Sequence, residues 1–191
     1  MFGGAIFLFR QNAFRGSITC SAEVVQHRWL SGFPSDAGDS MHRVNSIVMQ
    51  APKTAVFETA ANLELWPKIL PHYRYIRFLE RGPDRNIVVM AATRSGIPIS
   101  WTSEQMIDRS SLEIHFHHLK AWTKGMRVVW TFFDQPSGVL VTISHDLRFR
   151  IPVLGPIADP IIGDFFIRNI ANKTLCCIKA YVEAMAEKVN G

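Results

Sequence analysis

Cysteine is scarce in this chain: only Cys20, Cys176 and Cys177 occur among its 191 residues. So few thiols cannot build the disulfide framework that stabilises small extracellular domains. The adjacent pair would point about 100° apart on a helix, so it suits neither a mutual disulfide nor a metal site. We therefore expect inert, buried thiols and a cytoplasmic protein.

Long hydrophobic runs and concentrated charge are also missing. No apolar run approaches the roughly 20 residues of a membrane-spanning helix, so we expect no transmembrane segment. The net charge is +5, but the only loose basic cluster is Arg74, Arg77, Arg81 and Arg85. Nucleic-acid binders usually concentrate positive charge on one face, so we expect no nucleic-acid partner. A module that uses the 74–85 region to bind acidic partners or a membrane surface stays open.

Motifs of several catalytic and cofactor-binding classes are absent. The chain has no G-x-G-x-x-G, no P-loop, no G-x-S-x-G and no C-x-x-C. The only histidine cluster is His115, His117 and His118, and the first two share a strand face with Glu113, which superficially resembles a metal site. That face is the polar, outer one, so we expect no metal. No motif indicates a cofactor.

The first 40 residues differ from the rest. A short apolar run at residues 5–9 precedes Arg10 and Arg15, and a turn-rich stretch follows at 31–40. A secretory signal places positive charge before its apolar run, and here the charge follows. The acid-poor opening faintly resembles an organelle transit peptide, and a natural start at Met41 is the simpler alternative. We expect residues 1–40 to be a poorly ordered or non-native extension of one ligand-binding domain, 41–191.

Hydrophobic periodicity from Met41 onward predicts an α+β domain. Residues 139–151 alternate most clearly, with Val141, Ile143, His145 and Leu147 on the apolar side. The connections between successive strands are short, so neighbouring strands should be antiparallel. Strands are predicted at 42–50, 73–80, 86–93, 97–106, 112–119, 124–133 and 139–151, and helices at about 51–62, 66–71 and 160–188. Residues at three- and four-residue steps place one side of the last helix against the sheet: Ile167, Ile170, Ala171, Thr174, Ile178, Val182 and Met185.

Three local segments carry a family resemblance. They are Ala51-Pro52-x-x-x-Val56-Phe57, Asn62-Leu63-Glu64-Leu65-Trp66-Pro67-x-x-Leu70-Pro71 and Trp101-Thr102-Ser103-Glu104-Gln105. Together with the element order, they resemble the START-like (SRPBCC) helix-grip superfamily, and in particular its polyketide cyclase/dehydrase and coenzyme Q-binding branches. The resemblance implies a curved antiparallel sheet of about six to seven strands wrapped around a long C-terminal helix, with two short helices after the first strand.

A sheet gripping one helix is expected to leave an internal cavity, because a single helix cannot fill the concavity of a strongly bent sheet. Strand alternation and the resemblance together predict an aromatic wall with a few polar groups, which is typical of small-molecule sites. A solid aromatic core is the alternative. The predicted ligand-binding residues are Trp66, Trp101, Ser103, Phe116, His118, Trp130, Phe132, Ile143, His145, Phe166 and Ile170.

These residues favour a carrier or chaperone for a hydrophobic ligand, such as an aromatic, polyketide-like, quinone or lipid molecule. The alternative is a polyketide cyclase/dehydrase of the aromatase type. His145, Arg94 and Tyr73 are its catalytic candidates, the last two because the resemblance implies that an arginine and tyrosines or tryptophans hold and enolise a poly-ketone chain. Each also has an ordinary interpretation: a hydrogen-bonded core histidine, a solvated strand-end arginine and a partly buried tyrosine.

Overall fold

Seven strands and three helices make up the described part of the protein, which in this computed structural model comprises residues 40–94, 96–121, 123–148 and 168–190. The strands are β1 (Ser40–Met49), β2 (Tyr73–Arg81), β3 (Arg85–Arg94), β4 (Ile97–Asp108), β5 (Glu113–Lys120), β6 (Arg127–Gln135) and β7 (Gly138–Arg148). The helices are α1 (Lys53–Ala61), α2 (Trp66–Ile69) and α3 (Arg168–Asn190).

The seven strands form one antiparallel sheet in the order β1-β7-β6-β5-β4-β3-β2. Strands β2 to β7 follow one another as hairpins, and β1 closes the order by pairing along its whole length with β7. Register shifts interrupt the β2–β3 pairing and, at Thr102/Ser103, the β4–β5 pairing. Such irregularities bend and twist a sheet.

Helices α1 and α2 connect β1 to β2 and pack, with α3, on one side of the sheet. Helix α1 begins directly after Pro52, whose lack of an N–H costs nothing at a helix start. The buried side of α3 carries Ala171, Thr174, Leu175, Cys176, Ile178 and Val182. This spacing of three and four residues is the apolar stripe of a helix that packs on one face.

The predicted α+β helix-grip class is therefore confirmed, including the two short helices and the long C-terminal helix. Two details of the prediction are wrong. Strand β6 begins at Arg127 rather than 124, because residues 123–126 form a turn in which the Met126 N–H bonds to the Thr123 carbonyl. Met185, expected on the packed side of the last helix, is 45% exposed. The predicted extension 1–40 lies outside the described residues, apart from Ser40, which opens β1.

Gln105 joins three elements in the core. It is completely buried, and its side-chain amide donates a hydrogen bond to the Ala61 carbonyl at 2.9 Å. Its side-chain oxygen accepts a hydrogen bond from the Asn86 amide at 3.0 Å. The Trp66 indole N–H bonds the Ala60 carbonyl at 3.2 Å. Two of the free carbonyls at the end of α1 are thus satisfied by side chains, which fixes α1 to the sheet and to α2.

Two expectations from bulk sequence properties can be compared with the structure. No helix among the described residues is both long and apolar enough to cross a membrane. The expectation of three inert thiols is wrong at Cys176, which is disulfide-bonded, whereas the Cys177 thiol is free.

Candidate functional site

A cavity of about 590 Å³ lies between the sheet, α2 and α3. This volume is within the range of about 300–1,000 Å³ typical of small-molecule sites. Every strand except β1 contributes to the described lining. The lining residues are Trp66, Tyr73, Met90, Ile97, Pro98, Ile99, Ser100, Trp101, Phe116, His118, Ala121, Thr123, Met126, Val128, Trp130, Ile143, His145, Ile170, Ala171 and Thr174.

The exposed lining residues mark the mouth of the cavity. Ile97, Pro98 and Ser100 at the start of β4, together with Ala121 in the β5–β6 loop, are exposed, and Ile97 is 54% accessible. Lining residues from α2, β6 and β7 are buried. A ligand would therefore enter between the β3–β4 and β5–β6 connections and reach an apolar interior.

A continuous set of aromatic rings forms one wall of the cavity. Trp66 is central: its ring centroid lies 5.2 Å from that of Tyr73, 5.9 Å from Trp130 and 6.1 Å from Phe116. Tyr73 in turn lies 6.1 Å from Trp101. Edge-to-face and tilted contacts of this kind stabilise aromatic pairs beyond the area they bury. These contacts hold the rings in place, and the ring surfaces that face the cavity are available to contact a ligand.

Two neutral histidines and one protonated tyrosine supply polarity to this wall. Burial lowers the pKa of His118 to about 3 and that of His145 to about 3, and a neighbouring histidine adds to each effect. Burial raises the pKa of Tyr73 far above its usual value. At neutral pH the cavity therefore has no charge from these three groups. It offers neutral imidazoles and a phenolic O–H.

The local contacts of the two histidines differ. The His118 ring stacks on Trp101 at a centroid distance of 5.9 Å, and its Nδ1 lies 2.6 Å from the Thr123 hydroxyl. His145 Nδ1 is buried without a hydrogen-bond partner, and so is the Trp101 indole nitrogen. Buried polar atoms without partners are rare and costly. Both residues line the cavity, where a ligand hydroxyl could donate to His145 Nδ1 and a ligand oxygen could accept from the Trp101 indole N–H.

Behind this wall lies a second group of polar residues. The Thr174 hydroxyl, on α3, lies 3.0 Å from His72 Nε2, and Thr174 lines the cavity together with Tyr73. His72 is buried but does not line the cavity, and burial next to Lys173 lowers its pKa to about 4. His72 Nδ1 has no partner.

The structure brings most of the predicted site residues together around the cavity. Eight of the predicted ligand contacts line it, and the catalytic candidates Tyr73 and His145 do so as well: the eight are Trp66, Trp101, Phe116, His118, Trp130, Ile143, His145 and Ile170. Two predicted contacts lie elsewhere. Ser103 is fully buried and donates to the His117 carbonyl at 3.1 Å, and Phe132 packs edge-on against Phe57 at 5.5 Å. Phe166 and the Arg94 side chain lie outside the described part of the structure.

The histidines of the cluster on β5 lie on different sides of the strand. His115 Nε2 lies 3.1 Å from Glu113 Oε2 on the half-exposed outer face, while His118 points to Thr123 and the cavity. Within the described ranges, no group of three or more histidine, cysteine, aspartate or glutamate side chains could hold a metal ion.

Two of the four arginines in the loose basic cluster are paired with acids. Arg81 pairs with Glu64, and Arg85 lies 3.0 Å from Glu80 and 2.6 Å from Glu104. Such exposed pairs contribute little stability each, but they cancel the local positive charge. Two of the four arginines that a basic docking module at residues 74–85 would use are therefore already paired within the protein.

His72 and Thr174 belong to the candidate site, although sequence reasoning missed their part in it. The helical periodicity predicts Thr174 on the packed side of the last helix, and only the docking of α3 shows that this residue lines a cavity. His72 stands in the turn before β2, where no periodicity exists to assign a face. The one signal in the sequence was that Thr174 is a polar residue on the otherwise apolar side of the last helix.

An antiparallel sheet closed on a helix around an aromatic cavity defines the class of helix-grip ligand-binding domains. The profile of the family described as "Polyketide cyclase / dehydrase and lipid transport" matches residues 49–174. The chain belongs to this family.

Individual relatives agree with that assignment. A Streptomyces halstedii protein provisionally named a polyketide cyclase is 32% identical over 103 residues, which cover 52% of this chain and 94% of that protein. The actinorhodin polyketide synthase bifunctional cyclase/dehydratase of Streptomyces coelicolor is 29% identical over 108 residues, 55% of this chain but 34% of that protein. Zhui aromatase/cyclase from Streptomyces sp. R1128 has the same fold, with a TM-score of 0.66 at 18% identity over 75% of this chain and 94% of that one.

Proposed function

We propose that this protein binds a polyketide-like aromatic molecule in its internal cavity and acts on it as a cyclase/dehydrase. The observation that carries the proposal is the aromatic cavity with three uncharged hydrogen-bonding groups, Tyr73, His118 and His145. Curated relatives named as cyclases support the enzyme over the carrier that the sequence alone favoured. Their names describe those proteins, and the substrate of this chain is our inference.

The chemistry that such a site can promote is ring closure of a poly-ketone. A base removes a proton from a carbon between two carbonyls, and the resulting enol carbon attacks a carbonyl further along the chain. One C–C bond forms, the attacked oxygen takes up a proton, and loss of that hydroxyl with a neighbouring hydrogen releases water. A neutral imidazole can accept the first proton, and a protonated phenol can donate a hydrogen bond to the developing oxygen charge.

The cavity also imposes a shape on the substrate. Rings of Trp66, Trp101 and Trp130 line the wall, so a flexible poly-ketone would be folded between flat surfaces that suit the aromatic product. Holding two reacting carbons in contact can supply several kcal/mol of the barrier. Apolar burial, at about 25 cal/mol per Å² before binding costs, would supply the affinity.

A carrier for a quinone or lipid is the second candidate function. The observation in its favour is the apolar interior, whose only described polar contacts are a few neutral side chains. A carrier needs no proton transfer, so it should tolerate the loss of any one of these groups. An enzyme should lose turnover while keeping much of its affinity.

One pair of variants separates the two functions. Tyr73→Phe removes only the buried hydroxyl, and Tyr75→Phe removes the same atom from a 46% exposed tyrosine on the same strand. The substrate probe is a 1,3,5,7-tetraketone with a phenyl ring at one end, in which C2 can attack the C7 carbonyl to close a six-membered ring. Mass spectrometry follows its loss of one water, and carbon-13 NMR shows that the product contains the new C–C bond rather than a pyrone. We expect Tyr73→Phe to lower kcat by about 10²-fold, with Tyr75→Phe unchanged.

Two outcomes would reject the enzyme. One is a rate of water loss equal to that without protein. The other is equal turnover by both variants together with a co-purified quinone or lipid in native mass spectra of the unmodified protein, which would establish the carrier instead.

A further inference from the structure

His72 is a buried titratable residue that the proposed ring closure does not use. It lies in the turn between α2 and β2, and its ring centroid is 5.0 Å from that of Tyr73. Its backbone carbonyl accepts a hydrogen bond from the Thr93 N–H at 2.8 Å, which fixes the turn to β3. The side chain is therefore held in place beside the cavity wall without touching the cavity.

The Thr174 hydroxyl connects this histidine to the cavity. Thr174 is 2% exposed, lines the cavity together with Tyr73, and holds its hydroxyl 3.0 Å from His72 Nε2. Burial raises the pKa of Tyr73, and the Thr174 side chain acts in the opposite direction on the same hydroxyl. A hydroxyl has one proton to donate and two lone pairs to accept. When the Thr174 hydroxyl accepts from one neighbour, its proton is free to donate to the other. The tautomer of His72 would therefore determine whether the Tyr73 oxygen accepts from Thr174 or its O–H donates to Thr174.

The two possible directions have opposite consequences for a ligand. If His72 Nε2 accepts from Thr174, then Thr174 accepts from Tyr73, and the phenol proton is turned away from the cavity. If His72 Nε2–H donates to Thr174, then Thr174 donates to the Tyr73 oxygen, and the phenol proton is free to bond a ligand oxygen. Chains of aligned donors also polarise one another, which strengthens the last bond.

We propose that His72, through Thr174, is a positioning residue that aims the Tyr73 O–H at a carbonyl oxygen of the ligand. The chain runs from His72 Nε2–H to Thr174 Oγ1, from Thr174 O–H to Tyr73 Oη, and from Tyr73 O–H into the cavity. The ligand oxygen is that of a ketone or an enolising ketone. The proposal rests on the function proposed above and names the subsite that recognises the substrate carbonyl.

The tautomer can be observed directly in the unmodified protein. Nitrogen-15 NMR of the histidine rings at pH 7 distinguishes an Nε2–H from an Nδ1–H imidazole. We expect the His72 ring to be neutral with its proton on Nε2. An Nδ1–H tautomer would overturn the proposal, because the chain would then run towards His72. This measurement needs no variant, so a folding failure cannot obscure it.

Ligand binding supplies the second readout. The probes are 2-acetylnaphthalene, which has a ketone, and 2-ethylnaphthalene, which has the same outline without the oxygen. Each Kd is obtained by displacement of 1-anilinonaphthalene-8-sulfonate. The ratio of the two Kd values isolates the contribution of the ligand oxygen. We expect Tyr73→Phe, Thr174→Val and His72→Phe each to reduce the ketone preference by about two- to tenfold, and Thr174→Ser to restore it.

Matched controls lie on the outer faces of the sheet. His115→Phe and Thr142→Val make the same replacements at residues that do not line the cavity, and both should leave the ratio unchanged. A ratio that falls in Tyr73→Phe but persists in Thr174→Val and His72→Phe would overturn the positioning chain and leave the proposed function intact. If the unmodified protein binds neither probe, the cavity is rejected as a ligand site.

Discussion

Buried histidines make the stability of this protein depend on pH. His145 has a pKa of about 3 in the folded protein against an ordinary value of 6.5, mainly because burial disfavours its charged form. The unfolded chain therefore binds a proton more readily than the folded one between these values. Stability is complete above about pH 6.5 and is lost as the pH falls from there towards the folded pKa.

We expect the free energy of unfolding to fall by roughly 2 kcal/mol between pH 7 and pH 5 for His145 alone, at about 1.4 kcal/mol per pH unit. His118 and His72, whose folded pKa values are about 3 and about 4, act in the same direction. Urea unfolding at the two pH values measures the change. His145→Phe should make the dependence shallower, and His115→Phe, at a half-exposed residue of β5, should not. An unchanged slope in His145→Phe would show that this histidine does not carry the effect.

Single residues also show where sequence reasoning stops. Alternation along β7 identified His145 correctly as buried, because period two follows directly from strand geometry. The same rule placed Phe132 inside, which is right, but it could not tell that Phe57 of α1 covers it. A pattern predicts which face of the sheet a side chain occupies, and only packing decides whether a helix or a void lies opposite.

Among the elements, the β6–β7 hairpin has the strictest backbone requirement. Gly138 has φ +128°, and a Cβ atom there would lie 2.5 Å from the Met49 carbonyl oxygen of β1. The hairpin therefore packs directly against the end of the neighbouring strand, in a conformation that favours glycine. This contact lies at the end of the β1–β7 pairing, where Met49 and Val139 are partners.

We expect Gly138→Ala to destabilise the protein by about 2–4 kcal/mol, because backbone strain and a steric clash combine. Gly96→Ala is the matched control: its φ is +82°, but nothing lies within 4 Å of the added atom. That variant should cost about 1–2 kcal/mol from strain alone. Thermal unfolding of both proteins gives the comparison. Equal losses would mean that the Met49 carbonyl moves aside without cost.

Element order was the most predictable level of the structure. Alternating strands, short connections and prolines at helix starts are local signals, and each predicted strand was found with ends shifted by a few residues. The irregularity at Thr102/Ser103 was not predictable, since it depends on how β4 meets β5. At this irregularity the Ser103 hydroxyl donates a hydrogen bond to the His117 carbonyl, and Ser103 does not line the cavity.

At the scale of the whole molecule, the cavity is space that packing has left unfilled. A well-packed interior gains dispersion energy that a void forfeits, so a ligand-sized cavity lowers stability. Ala171 on α3 lines this space and is 5% exposed. A larger side chain there would project into the cavity from the helix side, without displacing the aromatic wall.

We expect Ala171→Leu to weaken binding of 2-acetylnaphthalene at least tenfold and to leave the Tm unchanged or a few degrees higher, because the added atoms fill a void rather than a packed core. Ala180→Leu, at an exposed position of the same helix, should change neither quantity. Dye displacement and thermal unfolding are the measurements. A large loss of Tm in Ala171→Leu would show that the space is not available to be filled.

The pairing of β1 with β7 joins the first described strand to the last, from Ser40 opposite Arg148 to Met49 opposite Val139. During translation, the earlier strand must wait for about 100 further residues to be synthesised before its partner exists. At roughly 5–20 residues per second, that delay lasts on the order of 5–20 s. During this delay the backbone N–H and C=O groups of β1 lack the strand with which they pair in the folded protein. Chaperone demand during biosynthesis should therefore centre on this segment.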